Sequence, residues 1–289
     1  MAMRSAEPET NRPIRDTLRR LIKAPAALSI LWPALLIVGG YVTWHRWGSE
    51  HVAQNYYGID VAQIHITQPP SYVRSDIIQS VYRDTAMDGL SLMDKQATAK
   101  IASAFSMHPW VQSVTSVRKL PGGVVDVRMD YRRPVAMVQV FRTVDGIRDK
   151  FFFPIDGHAV LLPTGEFTRS ETLEFVHIDV PGADSTNAEG MPFGDPRVEA
   201  AARLAEVLLP VYREVGIRKI TVVGDPRQIQ VPQLEVTTDN DTRHHWGSPP
   251  GLEIPGERTA EMKLRALMAV RGNTPIDLRV ATMADPGHS

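Results

Sequence analysis

The chain has 289 residues, 43% hydrophobic and 22% charged, with a formal net charge of −1, which suits one to three folded domains and provides no global field for holding nucleic acid. It contains no cysteine, which excludes disulfides, thiolate catalysis and Cys-based zinc sites. Its 22 prolines and 20 glycines point to many turns and few long helices.

Residues 1–23 read as a cytoplasmic tail and 24–47 as a transmembrane helix. No residue from Ala24 to Trp44 is charged, and as a helix that stretch is about 30 Å long, the thickness of a hydrocarbon core. Tyr41, Trp44 and Trp47 gather at one end, as rings do at a headgroup interface. Arg4, Arg12, Arg15, Arg19, Arg20 and Lys23 precede the run, and only Arg46 follows closely. That asymmetry predicts a single-pass protein of the cytoplasmic (inner) membrane, N-terminus in the cytoplasm, the rest in the periplasm or extracytoplasmic space. A cleaved signal peptide fits less well, because the basic region is long and no small-x-small site precedes Trp44.

Residues 48–57 form a polar linker. IDVAQIHITQ (59–68) alternates as a strand and stops at Pro69-Pro70. A helix with Ser71 as N-cap follows, carrying Val73, Ile77, Ile78 and Val81 at helical spacing. A second begins at Asp94 and ends at His108-Pro109. Two strands then flank Pro121-Gly122-Gly123, a turn that asks for positive φ. The second has Val125, Val127, Met129 and Tyr131 alternating with polar residues, a half-buried pattern. The order over 58–133 is strand, helix, helix, strand, strand.

From 134 to 284 short strands dominate. VAMVQVF (135–141), a hairpin over 151–162 around Asp156-Gly157, LEFVHIDV (173–180), IRKITVV and QLEVTT are the strand candidates. Asp195 caps a helix with Pro196 at its first position. Residues 256–271 hold a last helix with Leu264, Leu267 and Met268 inward, and IDLRVATM (276–283) reads as a terminal strand. Residues 183–194 and 239–251 are polar loop candidates, and 285–289 a disordered tail.

The run from Pro109-Trp110-Val111 through the basic strand to Pro121-Gly122, then Arg133-Pro134-Val135-Ala136, resembles the FtsQ/DivIB family of cell-division proteins. Asp156-Gly157 resembles that family's D-x-G hairpin, Trp246-Gly247 a strand-end LG, and Ile276-Asp277-Leu278-Arg279 its closing DLR strand. The likeness runs in order over nearly the whole chain. It departs at Asp130–Arg133, where the family has a glutamate, and at Val280, where the family can carry an aromatic. The resemblance implies an α+β protein: an N-terminal transmembrane helix, a POTRA-like β-α-α-β-β domain (58–133), then a β-rich domain with a few helices (134–284). It also implies partner docking at Ile276, Asp277, Leu278, Arg279 and Val280, the partners being other single-pass division proteins (FtsB/FtsL-like) at the septum.

Catalytic signatures are missing: no phosphate loop, no Gly-x-Ser-x-Gly elbow, no His-Glu-x-x-His. His244-His245 with Asp239 and Asp241 is the one ligand-like cluster, but neighbours on a strand face opposite ways. Asp126 and Asp130 flank Arg128 as a solvated charge ladder. The expectation is a non-enzymatic scaffold with no catalytic residue, cofactor, metal, nucleic acid or small-molecule substrate, binding through sheet edges. The alternatives are a POTRA-bearing anchor for envelope assembly or secretion, and an anchored hydrolase or metal enzyme using the two histidines.

Overall fold

A computed structural model describes residues 25–48, 58–144, 146–224, 231–270 and 274–280. The expected cytoplasmic tail, nearly all of the linker 48–57 and the terminal tail 285–289 lie outside them. The chain divides into two units, one of residues 1–59 with 88–97 and one of residues 60–87 with 98–289.

In the smaller unit, helix α1 (Pro25–Thr43) contains Pro33 and runs into a π-helical turn, Trp44–Gly48. Among the described residues no helix is long and apolar enough to cross a membrane. This overturns the transmembrane helix expected over 24–47. Pro33 removes a backbone donor inside α1 and weakens it as a continuous span. The turn then sets His45 and Arg46 directly on its end.

The larger unit is α+β and holds two mixed sheets. The first has three strands in the order β1-β3-β2, with β1 Ile64–Ile66, β2 Val111–Lys119 and β3 Val125–Tyr131. Central β3 pairs parallel with β1 and antiparallel with β2. Val125, Val127 and Met129 are buried, as the alternation predicts. So are Ile77 and Val81 of helix α2 (Ile77–Asp84), and Ile101, Ala104 and Phe105 of helix α3 (Ala97–Ser106).

Three boundaries around this first sheet differ from expectation. The strand expected from 59 begins only at Ile64, because the Asp60 carboxylate accepts the Ala62 N–H at 3.0 Å and caps a 3₁₀ turn, Val61–Gln63. Helix α2 starts well after Ser71. The N–H groups of Arg74 and Ser75 are spent on Glu166, at 2.6 and 3.3 Å, and Asp76 becomes the N-cap, accepting from Gln79 at 3.0 Å. Helix α3 starts at Ala97, later than Asp94. The Pro121–Gly123 turn takes positive φ at Gly122 (84°) and Gly123 (83°).

The second sheet has the order β5-β4-β6-β7-β8-β9, from β4 Ala136–Val144, β5 Ile147–Ile155, β6 Val176–Asp179, β7 Ile217–Val223, β8 Gln233–Thr238 and β9 Arg243–Gly247. Its middle pairings, β4–β6 and β6–β7, are parallel and its flanks antiparallel. A capped four-residue helix α4 (Arg169–Thr172) precedes β6. Helix α5 (Pro196–Leu208), capped by Asp195 as expected, and the short α6 (Tyr212–Val215) link β6 to β7. One face is the core: Val138, Val140, Ile178, Ile220, Leu234, Val236 and Trp246 pack with Val198, Ala202, Ala205 and Leu208 of α5.

The hairpin expected around Asp156-Gly157 is present but short: Ile155 bridges Leu161 antiparallel, and the Leu162 N–H donates to the Pro154 carbonyl at 2.9 Å. β5 pairs along its whole length with β4, through a loop whose Gly146 has φ 80°. Residues 156–160 make a tight turn: the Asp156 carboxylate accepts the N–H groups of His158 and Val160, each at 2.9 Å. Ala159 (φ 57°), not Gly157, takes the left-handed conformation there. The last helix, α7 (Ala260–Ala269), buries Lys263 and Leu267, whereas Met268 is exposed. Of IDLRVATM, the described residues 276–280 form no regular strand. They make one bridge, Asp277 to His245, and residues 281–283 lie outside the described ones.

Candidate functional site

Strand β9 is the last of the sheet, and residues 276–278 lie against it in parallel. The His245 N–H donates to the Ile276 carbonyl at 2.9 Å, and the Leu278 N–H donates to the His245 carbonyl at 2.9 Å. Parallel pairing of this kind turns the N–H and C=O of Asp277 away from the sheet. No backbone hydrogen bond to them is found among the described residues. Leu278, fully buried, plugs the core, while Val280 is 56% exposed. Arg279 clamps Asp277 with Nε at 3.0 Å and Nη2 at 2.7 Å, which holds that carboxyl below the usual aspartate range. The Arg279 carbonyl accepts the Arg258 N–H at 3.0 Å. The open rim is therefore short: the outward groups of Asp277, then the Val280 side chain.

A buried ion pair lies under this segment. Lys263 Nζ is 2.7 Å from Glu257 Oε1, with side chains 0% and 2% exposed. The ammonium also donates to the Ser248 carbonyl at 3.2 Å and sits 5.4 Å from the Trp246 ring centroid. Burial pushes the Glu257 carboxyl up. Hydrogen bonds from Lys263, Ser248 and Ile254 outweigh that and hold it below its ordinary value. Gly247 (φ 87°) completes the arrangement, since a Cβ there would stand 2.5 Å from Arg279 Cγ.

The other residues singled out by sequence gather elsewhere. Trp110, fully buried, donates its Nε1–H to Glu166 Oε1 at 2.7 Å, and its ring lies 5.6 Å from Tyr72 and 6.2 Å from Phe167. Val111 is buried beside it, Pro109 packs within reach of Gly190, and Pro121 and Gly122 stay at the far hairpin. On either side of Arg133-Pro134, Arg132 Nη1 meets Asp156 Oδ2 at 2.7 Å, and the Val135 N–H donates to the Ile155 carbonyl at 2.9 Å.

Sequence reasoning missed Glu166, which takes the Trp110 donor and the Arg74 and Ser75 N–H groups, and Glu171, which pairs with the Arg74 guanidinium. Burial raises the Glu166 carboxyl, and those donors bring it below the ordinary value. Glu171 falls to about 2 through its hydrogen bonds with Arg74 and Thr168. The Thr168-x-x-Glu171 spacing is a capping-box signature and could have marked the helix start. Nothing local marks Glu166 or the Glu257–Lys263 pair.

His244 is buried and His245 half-buried on the opposite face, 3.8 Å from Glu235. Among the described residues no group of three or more histidines or carboxylates is arranged to hold a metal. No known family model matches the chain, and no curated protein matches it either. The likeness to FtsQ/DivIB thus stands on the residues quoted for it.

Proposed function

We propose that this chain is a non-enzymatic scaffold of the FtsQ/DivIB kind, which binds other division proteins at the septum by pairing backbone at the rim beyond β9. One observation carries this reading. Residues 276–278 are fastened to β9 on one flank, and the outward N–H and C=O of Asp277 face away from it beside the exposed Val280. Unpaired strand groups supply affinity to an incoming extended segment, and an exposed apolar side chain next to them supplies selectivity. Leu278 and the Asp277–Arg279 clamp fix the segment beforehand, which lowers the ordering cost of docking.

The experiment is site-specific crosslinking in dividing cells with a photoreactive residue at Val280. A crosslink to a single-pass division protein, lost when Leu278→Ala loosens the segment, is the expected result. No crosslink in cells where the protein is abundant and septal, or normal septation on depletion, refutes the reading.

A further inference from the structure

A cavity of about 170 Å³ in the larger unit is lined by Gln112, Val135, Gly157, Glu206, Leu209 and Pro210, with Arg133 and His158 at its walls. Three features mark it as built for an occupant. First, Gly157 has no left-handed φ to explain it. A Cβ there would stand 2.5 Å from Glu206 Cδ, so the missing side chain is what lets the Glu206 carboxylate lie against this backbone. Second, that carboxylate sits in the last turn of α5, where the helix dipole disfavours an anion and no basic residue accompanies it. Neither Glu206 nor Arg133 makes an ion pair among the described residues, though both line the same space. Third, Gln112 falls where the β2–β3 register shifts, between Val111 and Ser113, and a bulge re-aims a side chain. By contrast the Asp156 carboxylate in the same wall is taken by Arg132.

A negative group, a positive group and an apolar floor of Val135, Leu209 and Pro210 are complementary to a single residue carrying both charges. We propose that this cavity receives the C-terminal residue of a partner polypeptide when that residue is Lys or Arg. The basic head meets Glu206, the methylene stem lies on the apolar floor, and the terminal carboxylate meets Arg133. The cavity holds one side chain, and β2 beside it is an edge strand of its sheet, so the rest of the partner has a route in. This site is independent of the rim beyond β9.

The test is a methyl NMR titration of the full chain, following Leu209 and Val135, with N-acetyl-arginine, N-acetyl-arginine amide, N-acetyl-norleucine and free arginine as probes. The expected result is saturable binding with N-acetyl-arginine the tightest and each single-charge probe about tenfold weaker. Glu206→Gln should erase the advantage over norleucine, and Arg133→Gln the advantage over the amide. Both residues are exposed, so an unchanged methyl spectrum of each free variant confirms the fold, and Gly157→Ala gives a second way to displace Glu206. Equal binding of all probes, or shifts unaffected by both variants, overturns the proposal. Tighter binding of free arginine than of N-acetyl-arginine also overturns it, in favour of a small zwitterion.

Discussion

Replacing Lys263 by Met tests what holds the rim segment in place. Met keeps an unbranched stem of similar length, so packing is nearly preserved while the ammonium goes. Glu257 is then left 2% exposed with only the N–H groups of Ser248 (2.9 Å) and Ile254 (3.2 Å). Removing one partner of a buried pair costs about 3–5 kcal/mol. The two surviving donors place this case near the lower end, about 3 kcal/mol, with the lost contact to Trp246 contributing up to about 1 kcal/mol of it. That is a large share of the ~5–15 kcal/mol that stabilises a typical domain. Urea unfolding of the full chain, followed by circular dichroism and tryptophan fluorescence, measures it. A double variant, Glu257→Gln with Lys263→Met, should recover most of the loss, because no charge is then stranded. The pair also sets a pH dependence. Glu257 is held below 4.5 in the fold, so its contribution is complete above 4.5 and is lost as pH falls through the lower folded value. A Lys263→Met loss under about 1 kcal/mol, or a double variant no better than the single, would refute the reasoning.

Further outcomes follow from the same geometry. Trp110→Phe keeps the ring stack but removes the donor to Glu166, for an expected loss of about 1–3 kcal/mol in chemical denaturation, against about 3–5 for Trp110→Ala. Gly247→Ala introduces a Cβ at φ 87° against the Glu257 carboxylate and Arg279 and should unseat residues 276–279 and loosen the ion pair, read as faster hydrogen exchange at the Leu278 amide. Asp76→Ala removes the cap of α2 and should cost about 1 kcal/mol without altering the denaturant slope. In a carboxyl NMR titration Glu171 should stay ionised until pH approaches about 2, and Arg74→Gln should return it towards 4.5.

What the sequence displays depends on how local the cause is. Helix α5 could be read almost whole, because its first-turn proline and its apolar face lie within thirteen residues and its cap directly precedes them. Strand β8 and the alternation of β3 were equally plain. The misplaced start of α2 traces to a partner far away in the chain: Glu166 withdraws the Arg74 and Ser75 N–H groups across more than ninety positions. Asp156-Gly157 carries the dipeptide of a tight hairpin. The chain does reverse there, with the carboxylate closing an Asx-type turn, while the glycine serves Glu206 and Ala159 takes the positive φ. The apolar N-terminal run misled because hydropathy reports burial preference without reporting where a helix ends. Of the rim, the pattern at 276–280 was visible. The ion pair under it was not, since a lysine and a glutamate six residues apart look like an exposed surface.

The six-stranded sheet closes on its β9 side with a stretch that comes more than twenty-five residues after β9 in the chain. During synthesis from the N-terminus, β9 and its buried tryptophan must therefore wait, uncovered, for the ribosome to deliver the piece that seals them. A stall or early stop in that interval would leave a sticky border able to recruit a neighbouring nascent copy.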